Sequence, residues 1–407
     1  MTVVGSATAV RELLERRLEQ RGEVSGEFFA AEADRIARLC HRMAERFARD
    51  GRLIAIGVSP AARSDVRHIA VEFVHPVIVG KRALPALGLT GESGRIATEL
   101  ELALAPEDIV VAFGEPADGA DLVPAVATAR SHGCLTVAFA AGLGAEWTVD
   151  PPTEDPFVRQ ELVETVYHVL WELVHVFFEH RGLLEGRTET RSHDAGASSF
   201  LYPFLAEREH DLDAVLADVR DSALMKAEEV QNLRTATLLE NTAALTHAPA
   251  AISEGLRAGG RLLALGNGGS ATDAMDLVAD FVSPPAPSGW PPRPAIDLVA
   301  DTAIITAIAN DIGTEAIFAR QVIAYGRPGD VLLALSTSGN SLSVLDALGE
   351  ARRRGMVTVA LVGYDGGRVA TEQMADHIIV TASQHIPRIQ EAQATAYHVL
   401  RELVELV

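Results

Sequence analysis

One octapeptide occurs twice in this chain. Residues 167–174 read YHVLWELV and residues 397–404 read YHVLRELV, identical at seven of eight positions at a spacing of 230. Two further pairs keep the same order. GRLIAIG (51–57) matches GRLLALG (260–266) at a spacing of 209, and DIVVAF (108–113) parallels DVLLAL (330–335). Anchors repeated in one order restrict the chain to two copies of one architecture. A length of 407 residues accommodates two such domains. The growth in spacing gives the second copy roughly one extra small element.

Short apolar runs alternate with helical patterns in both copies. The second copy carries RLLALG, AIDLVA, DVLLALS, TVALVGY and HIIVTA as strands, with helical patterns over 270–282, 341–354 and 366–375. The first carries RLIAIGV, PVIVG, DIVVAF and LTVAFAA, and GLGAEWTVDPPTEDP then replaces a helix and a strand. Short buried strands separated by helices predict an α/β chain, each copy a parallel sheet between helical layers. The polar stretch 187–201 reads as a linker. It divides a first domain over 1–186 from a second over 202–407, which opens on a helical segment from Tyr202 to Thr246.

Charge and cysteine content exclude several functions. Asp and Glu number 56 against 35 Lys and Arg, a formal charge of -21. Such a chain repels phosphate backbones, so no nucleic-acid partner is expected. Only Cys40 and Cys134 are present, which makes no disulfide framework and points to a reducing cytoplasm. No apolar run reaches membrane-spanning length, so no membrane partner is expected either.

The polar chemistry of the second copy collects at strand ends. RLLALG runs into Asn267, Gly268, Gly269 and Ser270. Glycines there permit a sharp turn, and the helix that follows offers free N–H groups to an anion. DVLLAL ends in Ser336, Thr337, Ser338, Gly339, Asn340 and Ser341. Turn and cap chemistry accounts for one or two of these hydroxyls but hardly for four. Two such loops at the C-terminal ends of one parallel sheet converge on a crevice, and a phosphorylated small ligand is the expected occupant.

GNGGSATDAM, AIANDIG, DVLLALSTSGNS, GYDGG and RIQEAQATAYHVL, in that order, resemble the phosphoheptose isomerase branch of the sugar isomerase (SIS) domain. The resemblance covers about 250–407 nearly end to end, and the first copy shares it in outline only. It implies tandem SIS domains, each a three-layer αβα sandwich, and an aldose–ketose isomerase that converts sedoheptulose 7-phosphate to a heptose 7-phosphate through an enediol. It also implies a phosphorylated sugar as partner and a homo-oligomer, here a homodimer of four SIS domains. Ser270, Ser336, Thr337, Ser338 and Ser341 would hold the phosphate, with Asn267 and Asp311 facing sugar hydroxyls. Isomerases of this branch pair H-x-x-x-E on one helix with Q-x7-H on another around a divalent metal, often zinc.

The second copy departs from that pattern, with Asp276, Asp280, Gln390 and His398 at the four positions. Asp280 would be the base and His398 its partner, and the set would be a second, oxygen-rich metal site. The first copy matches in full: His68, Glu72, Gln160 and His168 would be its metal set, with Glu72 and His168 catalytic. Yet its loops read GVSPAAR and GEPADG, and Glu115 and Asp118 would repel a phosphate. Two arrangements follow. Either phosphate held by the second copy presents its sugar to the quartet of the first, or the second copy reacts alone through Asp280 and His398 while the first binds a structural metal. A different class remains open: a non-catalytic sugar-phosphate sensor or scaffold.

Overall fold

The computed structural model describes residues 6–77, 81–91, 94–179, 183–184 and 211–407. The linker expected over 187–201 lies outside the described residues. The chain forms two compact units whose segments interleave. One comprises Met1–Glu23, Asp155–Glu161 and Glu229–Val407, and the other Val24–Glu154 and Leu162–Glu228.

Each unit is built on a five-stranded parallel sheet flanked by helices. In the first sheet β1 (Leu53–Ile56), β2 (Ala86–Leu89), β3 (Ile109–Ala112), β4 (Leu135–Ala138) and β5 (Trp147–Thr148) lie in the order β2-β1-β3-β4-β5. In the second, β6 (Leu262–Leu265), β7 (Ala295–Asp297), β8 (Val331–Ser336), β9 (Val357–Gly363) and β10 (His377–Thr381) take the order β10-β9-β8-β6-β7. Read from the first strand of each copy, the two orders are the same, which is the structural form of the repeat.

Central strands are buried along their whole length, as parallel strands covered on both faces must be. The side chains alternate between faces. In the second sheet Leu262, Ala264, Leu333 and Leu335 join one core, and Leu263, Leu265, Leu332 and Ala334 join the other. The register pairs Leu262 with Val331 and Leu265 with Ala334, which brings the C-terminal ends of β6 and β8 side by side. The long first helix, α1 (Ala7–Ala48), places Val10, Leu13, Leu14 and Leu18 in the same core as Tyr397, Leu400 and Leu403. Their spacing is that of one helical face.

In the first copy, the strand expected at PVIVG (76–80) falls in part on residues 78–80, which lie outside the described residues. The strand beside β1 is Ala86–Leu89, half-exposed and paired with β1 alone among the described residues. The segment expected to lose both a helix and a strand keeps a two-residue strand, Trp147–Thr148, paired with Val137 and Ala138. Among the described residues no helix is long and apolar enough to cross a membrane.

Candidate functional site

In the unit of the second sheet, strands β6 and β8 are adjacent while their connections leave in opposite directions. Ligands of open parallel sheets bind at such a switch point. The loop after β6 leads into α8 (Gly269–Val282), and the loop after β8 leads into α11 (Leu342–Arg353). Asn267 Nδ2 donates to Ser341 Oγ at 2.9 Å and to Ser343 Oγ at 3.1 Å, and the two hydroxyls lie 3.2 Å apart. One amide therefore ties both loops together.

Backbone geometry explains why these loops need glycine. A Cβ on Gly266 would lie 2.1 Å from the Ser270 carbonyl oxygen, and one on Gly339 (φ 61) would lie 2.2 Å from that of Gly366. Ser336 Oγ accepts from the Gly339 N–H and Ser338 Oγ from the Asn340 N–H, both at 3.2 Å. A hydroxyl that accepts from its own loop keeps its O–H to donate to an anion. Asn340 donates to the Ser338 carbonyl at 2.9 Å and accepts from the Arg368 N–H at 3.0 Å. Ser270 is buried in the first turn of its helix, Thr337 is half-buried, and Gly268 and Gly269 form the turn between strand and helix. Asp311 stands apart. It is exposed at the end of Thr302–Asp311, accepts from Asn310 at 2.7 Å, and shares no hydrogen bond with these loops among the described residues.

A buried ionic cluster occupies the same unit. The closing helix α13 (Ile386–Leu406) carries His398, and α8 carries Asp276 and Asp280 one turn apart. His398 Nε2 lies 3.4 Å from Asp276 Oδ2 and 3.6 Å from Asp280 Oδ2. Its Nδ1 lies 2.9 Å from Glu161 Oε1. Tyr397 donates its hydroxyl to Asp276 at 2.9 Å. Asp280 Oδ2 has no hydrogen-bond partner among the described residues. Arg401 donates to the Asp280 carbonyl at 3.1 Å, and its guanidinium lies 4.6 Å from the ring centres of both Phe281 and Trp290. Gln390 is buried two turns before His398 on the same helix.

Burial and charge set the protonation of this cluster. Burial alone would push the His398 imidazole down, but hydrogen bonds to Asp276 and Glu161 and the charge of Asp280 raise it to about 10. Burial and the neighbouring Asp276 push Asp280 well above the usual carboxylate range, against the pull of His398 and Arg401. In Glu161, burial is outweighed by Arg21 and His398, which hold its carboxyl well below that range. The raised pair binds more protons folded than unfolded, so stability falls as pH rises. The His398 contribution is complete below about 6.5, the ordinary imidazole value, and is lost as pH passes through about 10. Denaturant midpoints between pH 6 and 10 should drop steadily, and His398→Gln should flatten that slope. An equal slope in both proteins would exclude the assignment.

The unit of the first sheet gathers a different cluster. On α2 (Pro60–Val74) His68 and Glu72 share a face one turn apart, with His68 Nε2 3.9 Å from Glu72 Oε1. His168 on α5 (Pro156–Glu179) brings its Nε2 to 3.3 Å from that of His68. Glu164 joins them, and the ligand atoms of His68, Glu164 and His168 all lie within 4.8 Å of one another. Gln160 falls in Asp155–Glu161, a segment of the other unit. Burial and the adjacent His168 push His68 well below the usual imidazole range, so its ring is neutral. Two nitrogens bound to one tetrahedral zinc at 2.0–2.1 Å stand about 3.3 Å apart. The observed spacing fits that geometry, and two imidazoles with carboxylate oxygens form a donor set suited to zinc. In the loops of this unit, α2 begins on Pro60 behind Ser59, and Glu115, which is exposed, donates its N–H to Asp118.

Known proteins place the chain. A profile of the SIS domain matches residues 227–363. The phosphoheptose isomerase of Desulfovibrio desulfuricans is 42% identical over 194 residues, 48% of this chain and 87% of that enzyme. The chain belongs to the phosphoheptose isomerase family. The Chlorobaculum tepidum enzyme of the same name is 49% identical over 156 residues, 38% of this chain and 74% of its own. These relatives match about half of the chain. The fold of the whole chain is shared with the tagatose-6-phosphate ketose/aldose isomerase of Escherichia coli at 14% identity, with a TM-score of 0.55 over 97% of this chain and 92% of that one. As a member of the phosphoheptose isomerase family the chain is an isomerase of the sugar-phosphate class.

Three functional groups escaped the sequence reading. Ser343 adds a hydroxyl to the cradle. Glu164 precedes His168 by four residues on one helix, a spacing visible in the sequence. Glu161 was overlooked beside Gln160, and its partner Arg21, 140 residues away, carries no local signal.

Proposed function

We propose that this chain interconverts a ketose phosphate and an aldose phosphate, with sedoheptulose 7-phosphate as the first substrate to test. The supporting observation is that one helix, Gly269–Val282, carries both ends of the required chemistry. Its N-terminus and the loop after β8 supply hydroxyls and free N–H groups for the phosphate. Asp276 lies seven residues beyond Gly269, a rise of about 10 Å, of the order of an extended sugar phosphate. There His398, protonated at neutral pH, is the acid for the carbonyl oxygen. Asp280, whose raised proton affinity makes it a stronger base than a surface carboxylate, takes the carbon-bound proton. The proton moves from one carbon to its neighbour through an enediol, and burial keeps water from the intermediate.

His68 and His168, with Glu72 or Glu164, would hold a metal in the other unit. Bound there, zinc would act as a Lewis acid or as a fixed link between the helices that carry its ligands. Asp276, Asp280 and His398 form the other described group whose ligand atoms lie close enough to hold a metal.

A second reading has its own observation. His398 is 1% exposed and Phe157 stacks on its ring at 4.6 Å, as in a closed structural network. That arrangement suits a sugar-phosphate sensor. Turnover of sedoheptulose 7-phosphate, followed by aldose formation with and without a chelator, separates the readings. Conversion supports the isomerase, while saturable binding without conversion supports the sensor.

A further inference from the structure

His398 meets a carboxylate from the segment Asp155–Glu161. Glu161 is 1% exposed, and both of its oxygens are engaged. Arg21 forks onto it, with Nη2 2.8 Å from Oε1 and Nε 2.9 Å from Oε2. Thr395, one turn before His398, donates its hydroxyl to Oε2 at 2.6 Å. The remaining approach to Oε1 is occupied by His398 Nδ1 at 2.9 Å. Phe157, one turn before Glu161, lies nearly parallel to the imidazole at 26°. The ring is therefore held edge-on by a carboxylate and face-on by an aromatic group, both from the segment Asp155–Glu161.

We propose that Glu161, fixed by Arg21 and Thr395, is the positioning residue that directs His398 Nε2 at Asp276 and Asp280. The proposal rests on the isomerase reading for its catalytic consequence and on geometry alone for the orientation. A carboxylate on Nδ1 fixes which nitrogen faces the reaction. The bidentate fork leaves the carboxylate one orientation. Asp276 and Asp280 both face Nε2, the opposite edge of the ring. The orienting group of this site thus comes from the segment Asp155–Glu161, 237 residues before the histidine it orients.

The test uses the full chain. In the proton NMR spectrum the Nδ1–H of a histidine bonded to a buried carboxylate gives a resolved downfield resonance, assigned here by its loss in His398→Asn. Glu161→Gln keeps the shape and removes the charge. It should abolish that resonance and lower kcat about 10- to 100-fold, with KM changed less than kcat. Because Glu161→Gln leaves Arg21 buried without its counter-charge, the double variant Arg21→Met with Glu161→Gln is made alongside and should show the same two losses in a chain with no stranded charge. A resonance that persists in either folded variant, or an unchanged kcat, would overturn the proposal. If the parent protein converts no sugar phosphate, the isomerase reading fails, and the resonance still decides whether Glu161 orients the ring.

Discussion

His398→Asn lowers kcat by about 10²- to 10⁴-fold, the contribution of a placed acid or base, and leaves the KM for a sugar phosphate within a few fold. The expectation follows from where the two functions sit. In the proposed reading, phosphate affinity would come from the loops at 266–270 and 336–341, held together by Asn267, Ser341 and Ser343. None of those bonds involves the closing helix. His398 instead closes a ring of three carboxylates, Glu161, Asp276 and Asp280, all buried. Asparagine can still donate to Glu161 but carries no transferable proton. Without the imidazolium, Asp280 loses a charge that holds its proton affinity down against burial, stays protonated more readily and serves less well as a base. Steady-state kinetics on the folded variant give the answer. An unchanged kcat would remove His398 and its aspartates from the reaction and shift attention to the His68, Glu72 and His168 set.

How far the sequence carried this reading depends on the kind of signal. The central strands were legible because each is a short, wholly apolar run ending at a turn. The cradle loops were legible because Gly266 and Gly339 answer to local backbone demands. The pair His68 and Glu72 could be read because a helix puts residues four apart on one face. The edge strand Ala86–Leu89 could not, since a half-exposed edge imposes no continuous apolar run, and PVIVG nearby has the stronger β-branched pattern. Arg21 was invisible for another reason. Its partner lies 140 residues away, and only the folding of the first helix onto the second copy's core brings them together. Glu161 stands beside Gln160 and outside the four equivalent positions of the two copies, so the repeat carries no signal for it.

Replacing both His68 and His168 by alanine should abolish zinc binding while phosphate binding persists. The prediction follows from two nitrogens 3.3 Å apart in a buried site. Without metal, that contact is a single hydrogen bond, one ring donating and the other accepting. A bound metal would take its donors from both rings and from Glu72 or Glu164. Metal analysis after dialysis should find about one zinc per parent chain and almost none in the double variant. Zinc saturation should also raise the unfolding midpoint of the parent, because an ion bound only in the folded state adds about 4 kcal/mol at a thousand times its Kd. That increment disappears in the variant. Inorganic phosphate should bind the two proteins alike, since its cradle belongs to the other unit. Zinc retained at full stoichiometry by the double variant would place the metal elsewhere, with Asp276, Asp280 and His398 as the remaining cluster of donors among the described residues. The protonation assigned to His398 would then have to be abandoned together with the site.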